Sequence, residues 1–326
     1  MAYTGFSSQL FIGTEKKFNE EATLKYIIPF TSENINEKKE IVNSEALLGK
    51  RANNSIVETK KYVSGNVDLE IYPEIFGYMF LLALGWVEKA SDYIKITPVK
   101  VFQEIPSSTI QVSHNDIDFI YTGMKINEIN LKFGLNETKF SVGFEGIREI
   151  QKSGTYDLQN LSFTNQLTFR QFSIEKDDII KDNVIELNLS IKNNIETNDY
   201  VFGELYRQSL TTGNLEIEGD MKILFDIETY NNYKNFQKNK LLFKFDNGVD
   251  KFEIEIPSAK FYDVEHNIVD EKQIVMECKI LATGKDLIEI RDYTNYIEDF
   301  YIPTGALGYW TNSLNDIVNN IKPLGY

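Results

Sequence analysis

The sequence predicts a mainly β protein made of two tandem β-rich domains, each with one α-helix. The first observation is a strand that runs directly into a short apolar helix at residues 63–85. The second is the recurrence of this strand–helix pattern about 154 residues later, at residues 218–236. The third is composition: 22 Phe and 18 Tyr among 326 residues favour β structure, because aromatic side chains pack well on a pleated surface.

The strand–helix unit at residues 63–85 is defined by local signals. Apolar residues alternate with polar ones up to residue 71, the period of a strand with one buried face. Pro73 suits the first turn of a helix, and Gly85 is a natural stop. The helix between them carries a broad apolar stripe, which we expect to lie against a sheet. Its candidate core residues are Ile75, Phe76, Met79 and Phe80.

The second unit aligns with the first without gaps. Two of the six aligned pairs are identities, so the alignment depends on the matching order of the flanking elements. The aligned pairs are Gly65–Gly219, Val67–Met221, Leu69–Ile223, Ile71–Phe225, Glu74–Glu228 and Phe76–Tyr230.

The chain before the first unit is predicted to hold an arm, a strand and a polar loop. Residues 1–21 have no sustained period, which indicates either a frayed terminus or an arm that docks on a neighbouring subunit. Residues 22–32 are predicted to form a strand. Residues 34–62 are polar and too long for an ordinary connection, so we predict a contact loop. Its candidate contact residues are Lys38, Lys39, Lys50, Arg51, Lys60 and Lys61.

The elements after each unit follow the same order. Strands are predicted at residues 86–101 and 116–146, with a loop at 105–111, and a linker at 149–159. The second half has a strand at 184–191, a polar loop at 193–213 and strands at 241–245, 252–256 and 274–280. The predicted domains are therefore 22–150 and 155–284. Residues 285–326 form an aromatic C-terminal extension, expected to dock on its own chain or, alternatively, on another.

Composition excludes several classes of function. The net charge of −15 argues against tight sequence-specific binding of nucleic acid, which needs Lys and Arg at phosphates. One cysteine, Cys278, and two histidines, His114 and His266, form no zinc motif of ordinary spacing. Cys278 alternates with apolar residues and is predicted to be a core thiol. No glycine-rich phosphate loop is present, so neither an enzyme nor a cofactor is predicted. No signal peptide or membrane-spanning segment is predicted.

The order of elements resembles that of the major tail tube proteins of tailed bacteriophages. The resemblance lies in residues 49–85, in residues 116–134 and in the later stretches EGDMKILFDIETYNNYKNF and FEIEIPSAKFYDVE. It covers roughly residues 20–284. It implies a β-sandwich or split β-barrel with one flanking helix per domain, in tandem duplicated tail tube domains.

The resemblance also implies the function and the partners. Copies of the chain would form rings that stack into a hollow tube of the virion tail, assembled in the bacterial host cytoplasm, and DNA would be a transient passenger in the lumen. Two domains per chain imply a homotrimeric ring with pseudo-sixfold symmetry; a homohexamer ranks second. Tape measure, sheath or tail terminator proteins are possible further partners. The alternatives are a baseplate or tail adaptor ring protein, the tube of a phage tail-like bacteriocin and, last, a carbohydrate-binding β-sandwich.

Overall fold

The structure is a computed structural model. It describes residues 8–43, 56–100, 103–114, 117–134, 137–152, 158–159, 161–163, 166–267, 274–294 and 296–300. The predicted fold class is confirmed: strands dominate, and two α-helices lie within the described residues.

The first half of the chain holds eleven strands and one helix. Helix α1 spans Pro73–Leu84. The strands are β1 (Ser8–Thr14), β2 (Lys25–Ile28), β3 (Phe30–Glu33), β4 (Asn36–Asn43), β5 (Ile56–Leu69), β6 (Gly85–Lys89), β7 (Ile94–Pro98), β8 (Ser108–His114), β9 (Ile117–Gly134), β10 (Glu137–Gly146) and β11 (Arg148–Lys152).

The second half holds nine strands and one helix. Helix α2 spans Ile227–Lys234. The strands are β12 (Leu158–Gln159), β13 (Phe172–Lys176), β14 (Ile179–Lys181), β15 (Val184–Lys192), β16 (Glu216–Leu224), β17 (Asn239–Asp246), β18 (Lys251–Asn267), β19 (Val275–Ala282) and β20 (Glu289–Asp292).

One antiparallel sheet runs through both halves of the chain. In the first half β5 pairs with β3 and β4 on one side and with β10 on the other, and β10 pairs with β9. In the second half β16 pairs with β15 and with β19, and β19 pairs with β18. Strands β9 and β15 join the two runs through seven residue pairs.

The two runs share one register. In the first, Val142 lies opposite Val67 on β5 and Ile129 on β9. In the second, Cys278 lies opposite the corresponding residues Met221 and Val264. Each run also has one irregularity at the same level of its last ladder, at Gly143/Phe144 in the first and at Phe261/Asp263 in the second. A bulge adds one residue to a strand, so matching bulges are a specific structural feature.

Helix α1 lies at the centre of the core. It has the predicted bounds, and Gly85 ends it in the left-handed conformation at φ 82°. All twelve of its residues are buried, so the helix is enclosed on every side, whereas the sequence predicted one apolar stripe. The candidate residues Ile75, Phe76, Met79 and Phe80 are each at most 1% exposed. Strands β6, β7, β9 and β20 and the turn at residues 296–299 surround it, so both halves of the chain supply its contacts.

Helix α2 follows β16 as predicted but lies at the surface. Asp226 caps its N-terminus by accepting from the backbone N–H groups of Glu228 and Thr229. Only Thr229 is buried in this helix. The short polar sequence of α2 gives it one weak contact face, against β18.

Two predictions for the first half need correction. Residues 8–14 of the predicted arm form β1, which pairs with β2 and β8 of its own chain. Its apolar residues are too few to show a period, yet they are buried in a second sheet. The predicted loop at 105–111 contains the start of β8.

The described part of the C-terminal extension docks on its own chain, as predicted. Strand β20 pairs with β18 of the second half and with β7 of the first. Phe300 stacks on Tyr78 of α1, with ring centroids 4.0 Å apart. Residues 301–326 lie outside the described residues. The extension therefore ties the two halves together.

Asp292 makes this docking sensitive to pH. It is buried against Gly77 of α1, its Oδ1 accepts from Thr294, and its Oδ2 has no hydrogen-bond partner in the described structure. Burial raises the pKa of Asp292 to about 7. Since this is above the ordinary value of about 3.9, the unfolded chain releases this proton first, and the group's contribution to stability is lost as pH rises from about 4 to 7.

We therefore expect Asp292→Asn to flatten the pH dependence of stability. For the natural chain this group lowers the free energy of unfolding by up to about 1.4 kcal/mol per pH unit in that window. Urea unfolding at pH 5, 6, 7 and 8 measures the slope for both proteins. Glu15, a second buried carboxyl whose pKa is raised to about 7, is unchanged in the variant and serves as the internal reference. Equal slopes for the two proteins would contradict the assignment to Asp292.

Candidate assembly surfaces

The main sheet has two rims that differ in what they carry. Four antiparallel pairings separate β5 from β16, so these two strands run in the same direction. Their starting ends form the first rim, and their final ends, where α1 and α2 begin, form the second rim. Any stacking of such sheets along the strand direction brings first and second rims together.

The predicted contact loop at residues 34–62 is a β-hairpin at the first rim. Strands β4 and β5 pair from Asn36–Ser64 to Asn43–Ile56, and β5 joins β10 only from Val63 onward. The seven residues before Val63 thus extend about 23 Å beyond that ladder. Both faces of the hairpin carry charged side chains, so the alternation that marks a half-buried strand is missing from the sequence.

The candidate lysines lie on this hairpin. Lys38 and Lys39 are on β4, and Lys60 and Lys61 are on β5. Lys39, Lys60 and Lys61 pair with glutamates of the same hairpin at 3.4–3.9 Å. Lys50 and Arg51 lie outside the described residues. The hairpin is therefore held straight partly by its own cross-strand ion pairs.

Residues 193–215, which include the second predicted polar loop, brace the base of the hairpin. The backbone N–H of Lys61 donates to the carbonyl of Leu205 at 2.8 Å, and the hydroxyl of Tyr206 donates to Glu37 at 3.0 Å. Arg207, 4% exposed, donates to Glu145 at 2.7 Å, and its guanidinium lies over the ring of Tyr62. Hence the second half of the chain sets the direction of the hairpin.

The brace also exposes apolar side chains at the first rim. Phe202 is fully exposed beside Gly203, whose φ of 89° makes a tight turn. Val201 and Leu205 are partly exposed next to it. A loop that is anchored by several hydrogen bonds and still presents a phenylalanine to water is typical of a contact surface.

The main sheet ends in two strand edges without a partner strand in the described ranges. Residues Asp263–Asn267 of β18 pair with β19 on one side only. At the other end of the sheet, β3 and β4 pair only with β5. Unpaired edges are templates for pairing with another chain.

One face of this sheet is polar and carries an excess of negative charge. Four of its lysines pair with carboxylates on neighbouring strands at 2.6–3.6 Å: Lys132 with Glu186, Lys192 with Glu218, Lys222 with Glu277 and Lys279 with Asp263. The fifth is Lys139. Nine carboxylates share the face: Asp68, Glu128, Glu186, Glu216, Glu218, Asp220, Asp263, Glu265 and Glu277.

The described residues offer no constellation for catalysis or metal binding. Cys278 is buried, and burial raises the pKa of its thiol to about 12, so it is not a nucleophile near neutral pH. His114 contacts Ser8 through Nδ1 at 2.7 Å. No group of three metal-ligating side chains occurs in the ranges described, and no helix there is long and apolar enough to cross a membrane.

Sequence reasoning missed the open edge of β18 and the brace. An open edge leaves no mark on side-chain pattern, since it is defined by which backbone groups lack partners. The brace has a weak signal: aromatic and basic residues at 60–62 face a similar group, Tyr206 and Arg207, in the second polar loop.

The fold and these surfaces define a class: structural β proteins that present strand edges and projecting rim elements for contact with other chains. A family model described as "Phage tail tube protein" matches residues 5–284. The chain belongs to the phage tail tube protein family, and its role is that of a structural component of the virion tail. No curated protein matches the chain.

Proposed function

We propose that the chain forms a homotrimeric ring with pseudo-sixfold symmetry, and that these rings stack into a hollow tube that conducts DNA. The observation that carries this proposal is the β9–β15 junction, where the end of the first run of strands pairs with the start of the second. If the two runs are copies of one module, the same junction can form between chains. Three chains with two modules each then close a ring with six similar junctions.

The equivalence of the two runs supports this reading. A shift of 154 residues carries β3–β4 and β5 onto β15 and β16 in register: Ser32 and Asp68 fall on Glu186 and Lys222. A shift of 135 carries Ile129 of β9 onto Val264 of β18. The bulges correspond under the same shift. We therefore infer two homologous domains, 22–150 and 155–284, preceded by residues 1–21 and followed by the extension 285–326.

The junction between chains then has a defined register. Glu128 of β9 lies opposite Lys192 of β15, and Asn130 lies opposite Ser190. The shifts place Asp263 opposite Lys38 of the neighbouring chain and Glu265 opposite Asn36. The first of these pairs is again an acid opposite a lysine, which supports the register.

The polar face supports a lumen for DNA. Closing the sheet into a ring puts one face inside, and the apolar face is already covered by the core. With nine carboxylates against five lysines, four of them neutralised in ion pairs, the wall would repel phosphate and let DNA slide. The projecting hairpin favours a stacked tube over a single adaptor ring.

Cysteine cross-linking tests the register. In an antiparallel pair, residues directly opposite each other have Cβ atoms about 4.5–5.5 Å apart, near the range a disulfide spans. We expect Glu265→Cys combined with Asn36→Cys to link chains under mild oxidation, with a covalent trimer as the largest product on a non-reducing gel. The native Cys278 does not interfere because it is buried.

The matched control is Glu265→Cys combined with Glu37→Cys. A slip of one residue places the second cysteine on the other face of the sheet, so this pair should not cross-link. Equal cross-linking by both pairs, or by neither, would show that the two edges do not meet in this register. A ladder continuing to six chains would favour the hexamer.

A further inference from the structure

The tip of the hairpin has apolar side chains on both faces. Ile41, Val42, Ile56 and Val57 are each 57–64% exposed. Val42 lies directly opposite Val57 on one face, while Ile41 and Ile56 lie on the other. We call these four residues the wedge. Because the wedge lies beyond the β10 ladder and both its faces are apolar, it cannot cover both against its own sheet.

A second apolar patch lies at the opposite rim, around the start of α2. Its members are partly exposed and adjacent: the backbone N–H of Phe225 donates to the carbonyl of Ile274 at 2.9 Å, and Ile227 follows two residues later. Ile180 stands beside Lys181, whose ammonium lies 3.5 Å from Asp226. We call Ile180, Phe225, Ile227 and Ile274 the shelf. The corresponding start of α1 offers no such patch, since all of α1 is buried.

The charges around the two patches are of opposite sign. Residues 34–62 carry six Lys or Arg against four Glu, in a chain whose net charge is −15. The shelf is bordered by Asp182, Asp226 and Glu228, against Lys181 and the buried Lys176. This complementarity orients the hairpin toward the shelf of another copy.

We propose that the wedge of a chain in one ring docks on the shelf of a chain in the next ring. The inference rests on the proposed function and adds the partner surface to it. The contact is head-to-tail, joining the first rim of one copy to the second rim of another, so it generates an open stack. Each chain has one wedge and one shelf, which gives three docking contacts between rings and restricts their relative rotation to steps of 120°.

A double-mutant cycle on stacking tests this contact. The wedge variant is Val42→Ser with Val57→Ser, and the shelf variant is Ile227→Ser; all three side chains are exposed, so the fold should be unaffected. We expect each variant to raise the concentration at which rings stack into tubes about tenfold or more, as followed by sedimentation and negative-stain microscopy. The combined variant should be little worse than either, because both changes remove one contact.

The matched control is Phe236→Ser. Phe236 is a similarly exposed apolar residue of the α2 region, but it covers Lys260 on the side of the molecule, away from the second rim. It should leave stacking unchanged. Native mass spectrometry of each variant shows whether the rings themselves are intact.

The outcomes separate this inference from the proposed function. Intact rings that stack normally in the wedge or the shelf variant would overturn the docking contact alone. Additive effects of the wedge and shelf changes would overturn it too, since the two patches would then meet different partners. A natural chain that forms no rings would overturn the proposed function and this contact with it.

Discussion

Replacing Phe76 by alanine is expected to lower the free energy of unfolding by about 3–5 kcal/mol, the usual range for removing a fully buried phenylalanine. Phe76 is 0% exposed at the centre of α1. Its ring lies 4.9–5.4 Å from four other aromatic rings, which come from α1, β10, β17 and β18: Phe80, Phe140, Phe245 and Phe252. The cavity would therefore loosen both halves of the chain together.

The matched control is Tyr230→Ala, at the position of α2 that aligns with Phe76. Tyr230 is only partly buried and lies on a helix with one contact face, so we expect a loss of about 1 kcal/mol. Urea unfolding of the two variants measures both values. Two equal losses would contradict the view that α1 is the shared core and α2 a surface helix.

Replacing Val264 by proline is expected to abolish the ring while preserving the folded chain. Val264 lies on the open edge strand β18. Proline lacks the N–H that a neighbouring strand needs and is tolerated where that N–H faces solvent. Inside a paired ladder such a residue costs about 3 kcal/mol, which weakens each junction more than 100-fold, and a closed ring has three of them.

The direction of the Val264 amide follows from the ladders of β16. The N–H of Leu224 donates toward β15, to Asn183, and the N–H of the next residue, Phe225, donates toward β19, to Ile274. Successive residues of a strand alternate in this way, so odd-numbered residues of β16 face β19. Their partners on β19 are even-numbered, from Met276 to Ile280.

The odd-numbered residues of β19 therefore face β18. Glu277 lies opposite Glu265, whose amide points back to β19, and the amide of Val264 points to the open edge. Glu265→Pro is thus the matched control: it breaks a bond within the chain and should lower the free energy of unfolding. Val264→Pro should leave it nearly unchanged. A ring that survives Val264→Pro would show that this edge is not the junction.

Much of the fold is predictable because its signals are local. Pro73 and Gly85 delimit α1 in the sequence as they do in the structure, and the alternation at Phe140, Val142 and Phe144 predicts β10. The order of elements also led to the correct family. These features depend on neighbours within a few residues, which a sequence states directly.

The features that define the candidate surfaces are not local. The hairpin of β4 and β5 is solvated on both faces, so its sequence has the composition of a loop. Helix α2 aligns with α1, yet its burial depends on what packs above it, which the alignment does not contain. The open edge of β18 depends on the absence of a neighbouring strand. Tertiary pairing determines all three.

The native mass of the smallest assembled particle tests the central claim most directly. A chain of 37.7 kDa predicts a ring of about 113 kDa that contains three copies, together with a monomer of unchanged fold for Val264→Pro. A ring of six copies would contradict the reading of two ring modules per chain. A natural chain that remains a monomer at assembly concentrations would contradict the ring itself.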